Sequence, residues 1–106
     1  MNTITYKKLV RDRIPEIIEA EGKIPHTSIL SDEEYLKMLD KKLLEETAEY
    51  CESGTLEELA DVTEVLYSIL SARGYSPNDL EQAWLKKAAE RGGLEKKILL
   101  KDVVVP

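Results

Sequence analysis

The chain of 106 residues contains one cysteine, one histidine and no phenylalanine. The lone Cys51 excludes an internal disulfide and is compatible with a reducing compartment. His26 has no cysteine or second histidine near it at metal-binding spacing, which argues against a zinc site. No apolar run approaches the roughly 20 residues needed to cross a bilayer, and the N-terminal residues lack a signal-peptide core. We therefore expect a cytoplasmic protein with no membrane partner.

The chain also has a shortage of positive charge. Its formal net charge is −6 and its pI is near 4.9. Binding to a nucleic-acid polymer needs a basic face, so this balance argues against such a partner. The length and the even composition predict a single domain over residues 1–106. A chain of this size buries only a modest core, so a partner subunit would add to its stability.

Basic residues are entirely missing from Leu43 to Ala72, the segment with much of the best helical apolar pattern. The same segment contains eight acids: Glu45, Glu46, Glu49, Glu52, Glu57, Glu58, Asp61 and Glu64. Surface helices usually mix both signs of charge, because like charges at i,i+4 spacing repel. A cluster of one sign at this density therefore calls for an explanation.

The positions of four of these acids provide one. Ser53-Gly54 separates two helical patterns, and residues on either side of a short turn face each other when their numbers sum to a constant. Glu49 with Glu58, and Glu46 with Asp61, both sum to 107. Carboxylates that close cannot all stay ionised in a poorly solvated place without a cation. Because carboxylate oxygens suit Mg²⁺ or Mn²⁺, the pattern predicts a divalent-metal site.

Two simpler explanations compete with this one. Thr55-x-x-Glu58 is a capping box, so Glu58 could serve only as a helix cap. Glu46 occupies the missing place in the apolar line Leu36-Leu39-Leu43-Tyr50, but it could also lie at the edge of that line and face water. Asp61 follows Leu59 and Ala60 and precedes Val62, so we expect it to be partly buried.

The apolar periodicity and the start and stop signals predict a mainly α protein built on an antiparallel helical hairpin. A short helix begins at Pro15, and longer helices are expected over about 32–52, 55–73 and 77–91. Residues 24–30 and 96–104 are predicted to be strands that pair in a small two-stranded ribbon. The third helix has two apolar lines, which predicts burial on two sides.

Basic residues concentrate at the two ends of the chain: Lys7, Lys8, Arg11 and Arg13 near the start, and Lys86, Lys87 and Arg91 on the last helix. They could form a solvated face and, on the last helix, complement the helix dipole. The functional interpretation is that they bind the phosphates of an anionic ligand next to the acidic site.

Glu45-Glu46-x-x-Glu49 followed by Glu58-x-x-Asp61 resembles the signature of the MazG-like all-α nucleoside triphosphate pyrophosphohydrolases, which include phosphoribosyl-ATP pyrophosphohydrolase. The segments from Tyr6 to Glu16 and from Lys86 to Leu94 resemble the flanking motifs of a small subgroup. The superfamily usually has a longer insertion between its acidic halves than the eight residues between Glu49 and Glu58, which leaves less loop to shape a nucleotide pocket.

The resemblance implies that Glu46, Glu49, Glu58 and Asp61 hold Mg²⁺ and that Glu45 and Glu46 take part in catalysis. It also implies hydrolysis of a nucleoside triphosphate between its α and β phosphates, in a house-cleaning role. The expected phosphate ligands are these: Lys8, Arg11, Arg13, Lys86 and Arg91. A homodimer or homotetramer would complete a four-helix core and each pocket.

Two alternatives remain open. The same chemistry acts on phosphoribosyl-ATP in histidine biosynthesis, although the opening Lys8-Leu9-Val10-Arg11-Asp12 favours the other subgroup. A different class is a non-catalytic helical interaction module, in which the acids form a solvated face. The sequence does not indicate which base or sugar would be preferred.

Overall fold

The computed structural model describes residues 2–106, and four helices account for the regular structure of this part of the chain. They are α1 (Ile14–Ala20), α2 (Asp32–Ser53), α3 (Leu56–Ala72) and α4 (Pro77–Arg91). The predicted mainly α class is confirmed, and each expected helix is present to within a few residues of its predicted ends.

Side-chain caps define where the three longer helices begin. Ser31 Oγ accepts the Glu34 N–H at 3.2 Å, and Thr55 Oγ1 accepts the Glu58 N–H at 3.4 Å. Ser76 and Asp79 form a complete capping box, with Ser76 Oγ accepting at 3.1 Å and the Asp79 carboxylate accepting the Ser76 N–H at 2.7 Å. Such caps satisfy backbone N–H groups that have no partner within the helix.

The turn between α2 and α3 depends on Gly54. Its φ of +65° lies in the left-handed region, where a residue with a Cβ is strained. The Gly54 N–H donates to the Tyr50 carbonyl at 2.7 Å and closes the end of α2. α3 begins only two residues later, so the two helices fold back against each other.

The α2–α3 hairpin contains the buried core of the chain. Leu39 on α2 and Val65 and Leu70 on α3 are its buried apolar residues. An ion pair of 3.4 Å between Arg73 and Asp40 links the end of α3 to the first half of α2, so the helices are antiparallel. Glu46 is buried in the same interface and is only 7% exposed.

The predicted two-stranded ribbon is wrong: no strand occurs anywhere in residues 2–106. In the first segment Ile24 and Ile29 are 79% and 99% exposed, and in the second Ile98 is 79% exposed. Lys97 has a φ of +59°, which interrupts an extended backbone at the start of the second segment. β-branched residues alone do not form a strand, because a strand requires a hydrogen-bonded partner and an isolated ribbon is marginal.

The chain divides into two compact units, the first ending at Tyr75 and the second running from Ser76 to Pro106. The first contains α1, α2 and α3, and the second contains α4 and the C-terminal segment. Within residues 2–106, no helix combines the length and the apolar composition needed to cross a membrane.

Candidate metal centre

Three carboxylates meet where α2 and α3 face each other. Glu46 comes from α2 and Glu58 and Asp61 from the first half of α3, and one oxygen from each lies within 4.8 Å of the others. The antiparallel pairing and the i,i+3 spacing of Glu58 and Asp61 bring them together. Their proximity agrees with the prediction that residues whose numbers sum to a constant face each other across the turn. Their role as metal ligands stays a prediction.

Glu46 is the most informative member of this group. It lies in the apolar line of α2, and its burial excludes the alternative of an edge residue facing water. Its Oε2 atom is buried and has no hydrogen-bond partner among residues 2–106. A buried carboxylate oxygen without a partner carries a large desolvation cost, which a cation would offset.

Glu58 does not complete a capping box. Its backbone N–H is held by Thr55, but the Thr55 N–H donates to Ser53 Oγ at 3.3 Å rather than to the Glu58 carboxylate. The Glu58 Oε2 atom is buried and, in the described part of the chain, also lacks a hydrogen-bond partner. The side chain therefore belongs to the carboxylate group and not to the helix cap.

Glu49 lies one turn beyond Glu46 on α2 and is exposed. The pKa of Glu49 is raised, first because its protonated carboxyl could donate to Glu46 and then because the negative charges of Glu46 and Glu58 oppose its ionisation. The fourth predicted ligand is thus electrostatically linked to the other three, although it is not within the 4.8 Å group. We refer to Glu46, Glu49, Glu58 and Asp61 as the carboxylate cluster.

Two cations among residues 2–106 contact the carboxylate cluster. Arg11 Nη2 donates to Asp61 Oδ1 at 2.7 Å, and Lys42 Nζ lies 3.2 Å from Glu46 Oε1. The hydrogen bond to Asp61 raises the pKa of Arg11 above its ordinary value. This effect is larger than the opposite effect of partial desolvation, which lowers the pKa. Arg11 was predicted to bind phosphate, and in the structure it binds a carboxylate.

Lys42 is a contact of the cluster that the sequence pattern did not reveal. Its side chain is only 18% exposed, which is unusual for a lysine and requires a buried partner. The signal was present, because Lys42 lies four residues before Glu46 on the same face of α2. The segment without basic residues begins at Leu43, one position too late to include it.

The other predicted site residues have different surroundings. The Lys8 ammonium lies 5.6 Å from the centre of the Tyr6 ring, and Arg13 contacts Glu16 at 3.5 Å. Glu45 is half-buried on α2 and lies outside the three-carboxylate group found among residues 2–106. Lys86 and Arg91 are on α4 in the second unit, and their role as phosphate ligands stays a prediction.

The residues present fit a hard divalent cation. The available donors are carboxylate oxygens, the ligands that Mg²⁺ and Mn²⁺ prefer. Two of these oxygens are buried and have no other partner within residues 2–106. This set contains no sulfur or imidazole ligand, so it does not favour zinc.

An open recess of about 550 Å³ lies elsewhere on the hairpin. It is lined by the start of α2 and the end of α3: Asp32, Tyr35, Tyr67, Ser68, Ser71 and Ala72. Tyr35 precedes Glu46 by 11 residues, or about 16 Å along a helix. None of the predicted site residues lines this recess, so the chemistry is argued from the cluster.

Comparison with known proteins leaves the family open. The chain is 60% identical over 42 residues to an uncharacterized protein of Mycolicibacterium smegmatis. The match covers 40% of this chain and 43% of the relative, so the chain spans less than half of that protein's length. No family model matches the sequence. No solved structure matches it either.

Proposed function

We propose that this chain is a divalent-metal-dependent nucleotide pyrophosphohydrolase. It hydrolyses a nucleoside triphosphate between the α and β phosphates and releases a nucleoside monophosphate and pyrophosphate. The observation that carries the proposal is the pair of buried carboxylate oxygens without partners, on Glu46 and Glu58, beside Asp61. The motif resemblance of the acidic segment and its basic flanks supports the same activity.

The proposed ligands of Mg²⁺ or Mn²⁺ are Glu46, Glu49, Glu58 and Asp61. A bound divalent cation would neutralise phosphate charge and lower the pKa of a water molecule. Glu45 and Glu46 would take part in catalysis, with Glu45 assisting as a metal ligand or by orienting the attacking water. Phosphoryl transfer depends mainly on positioning and charge neutralisation, so the protein needs carboxylates for the metal and cations for the phosphates.

The cations proposed to bind phosphate are Lys8, Arg11, Arg13, Lys86 and Arg91. A homodimer or homotetramer would complete the four-helix core. A non-catalytic interaction module fits less well, because a solvated acidic face would not bury Glu46 to 7% exposure. Phosphoribosyl-ATP would be accepted by the same chemistry and belongs in the substrate panel.

The test is an assay of nucleoside triphosphates and phosphoribosyl-ATP with Mg²⁺ or Mn²⁺, following release of pyrophosphate and the monophosphate. We expect Asp61→Asn and Glu46→Gln to lower the rate roughly 100-fold or more, because each removes a proposed metal ligand. Glu57→Gln is the matched control, since Glu57 is an exposed acid on α3 outside the cluster. Absence of turnover on every substrate, or an unchanged rate for Asp61→Asn, would refute the proposal.

A further inference from the structure

The two cations on the carboxylate cluster differ in how firmly the fold holds them. Lys42 is on α2, one turn before its partner Glu46, and its side chain is 18% exposed. Arg11 precedes α1 in a segment without regular structure, 50 residues from its partner Asp61, and its side chain is 53% exposed. Lys42 is thus fixed by its helix, whereas Arg11 is more exposed and lies outside any helix.

The contact made by Arg11 also competes with a metal for the same negative charge. Asp61 is one of the three carboxylates close enough to share a cation, and its Oδ1 already accepts a charge-assisted hydrogen bond from Arg11. A guanidinium and a divalent cation on one carboxylate repel each other, although water screens part of this repulsion at side chains that are 53% and 38% exposed. Binding of a divalent cation would therefore weaken the contact between Arg11 and Asp61.

We propose that Arg11 is a resident counter-ion of the carboxylate cluster, which leaves Asp61 when a divalent cation binds and then becomes available to an anionic ligand. This inference rests on the proposed metal site. Lys42 stays beside Glu46 and keeps that buried carboxylate paired in both states. Arg11 would in this way couple metal binding to ligand binding.

The departure of Arg11 from Asp61 would also change how the N-terminal segment is held. Among the described residues, the Arg11–Asp61 pair is the side-chain hydrogen bond that joins the segment before α1 to α3. Once this hydrogen bond is broken, residues 9–14 lose a contact that holds them to the hairpin. The Ile14 N–H, which donates to the Arg11 carbonyl at 3.0 Å, belongs to this segment. Metal binding should therefore increase backbone exchange in this segment.

The test is calorimetric titration of the full chain with Mn²⁺ and Mg²⁺ in the absence of nucleotide. We expect Arg11→Gln to bind the metal about 2- to 5-fold more tightly than the wild type, because a competing ion pair is gone. Arg73→Gln is the matched control: it also removes one positive charge and one ion pair on the hairpin, but its partner Asp40 is outside the cluster. Its metal affinity should equal that of the wild type.

Hydrogen exchange supplies a readout that does not depend on affinity. We expect Mn²⁺ to speed exchange in residues 9–14 of the wild type and to have no such effect on Arg11→Gln. Weaker or unchanged metal binding by Arg11→Gln would overturn the proposal, since Arg11 would then support the metal site or be independent of it. If the wild type binds no divalent cation at millimolar concentration, the proposed metal site itself fails.

Discussion

Glu46 is a charged residue at a buried position of α2. Its position in the apolar line of α2 would suit leucine, and its burial makes it costly as an ion. Lys42 offsets part of that cost through one oxygen, and the other oxygen has no partner among residues 2–106. The cost of burying this carboxylate supports the proposed metal site.

The exposed Glu49 gives a prediction for pH dependence. Its raised pKa means that the folded chain favours its protonated form more than the unfolded chain does. Without divalent cations, the contribution of Glu49 to stability should therefore grow as the pH falls through its raised folded pKa, and be lost as the pH rises through that pKa. Thermal unfolding of Glu49→Gln should show a weaker rise.

Glu52→Gln provides the control for this measurement, because Glu52 is an exposed acid on the same helix, outside the cluster. It should keep the wild-type pH dependence. Equal slopes for Glu49→Gln and the wild type would show that Glu49 is not coupled to its neighbours in solution.

The element that places the cluster is the α2–α3 hairpin. The pairing of Glu46 with Asp61 depends on a turn of only Gly54 and Thr55, because any change in its length would shift α3 relative to α2. Local signals were sufficient to predict this element. Glycine at the turn, threonine at the cap and the 3,4 spacing of apolar residues act over a few residues each.

Replacing Gly54 tests the importance of the turn. A Cβ added at this position would meet no atom within 4 Å, so the cost of Gly54→Ala comes from its φ of +65° alone. We expect a loss of about 1 kcal/mol in the free energy of unfolding, measured by urea denaturation.

Gly93→Ala is the corresponding control, since its φ is not in the left-handed region and its surroundings are equally open. It should change stability by less than about 0.5 kcal/mol, as for an ordinary surface substitution. A Gly54→Ala protein as stable as the Gly93→Ala protein would show that the turn tolerates a different backbone conformation.

At the scale of the whole molecule, much apolar surface remains uncovered. On α3 the apolar line Leu56-Leu59-Thr63-Leu66-Leu70 is buried at Leu70, but Leu59 and Leu66 are 42% and 37% exposed. Val65, on the other apolar line, is buried. One hairpin therefore leaves part of one predicted apolar line uncovered, and this exposed part supports the proposal of a homodimer or homotetramer.

Sedimentation velocity tests this proposal. We expect a concentration-dependent species larger than the monomer, and a shift toward the monomer when Leu59 and Leu66 are both replaced by glutamate, because the charges would oppose burial of this line. Ile29→Glu is the control, as Ile29 is 99% exposed outside any helix. A wild-type chain that remains monomeric at all concentrations would contradict the prediction.

Local sequence is sufficient to predict the four helices, the caps and the meeting of Glu46, Glu58 and Asp61, because periodicity and a two-residue turn specify them over short distances. It does not determine contacts between distant segments, and only the tertiary structure showed that Arg11 reaches Asp61. The burial of Lys42 with Glu46, and the position of the Glu58 carboxylate beside the other acids, also depend on the packing of α3 against α2. The predicted strands are absent from residues 2–106, because strand formation depends on a pairing partner that neighbouring residues do not specify.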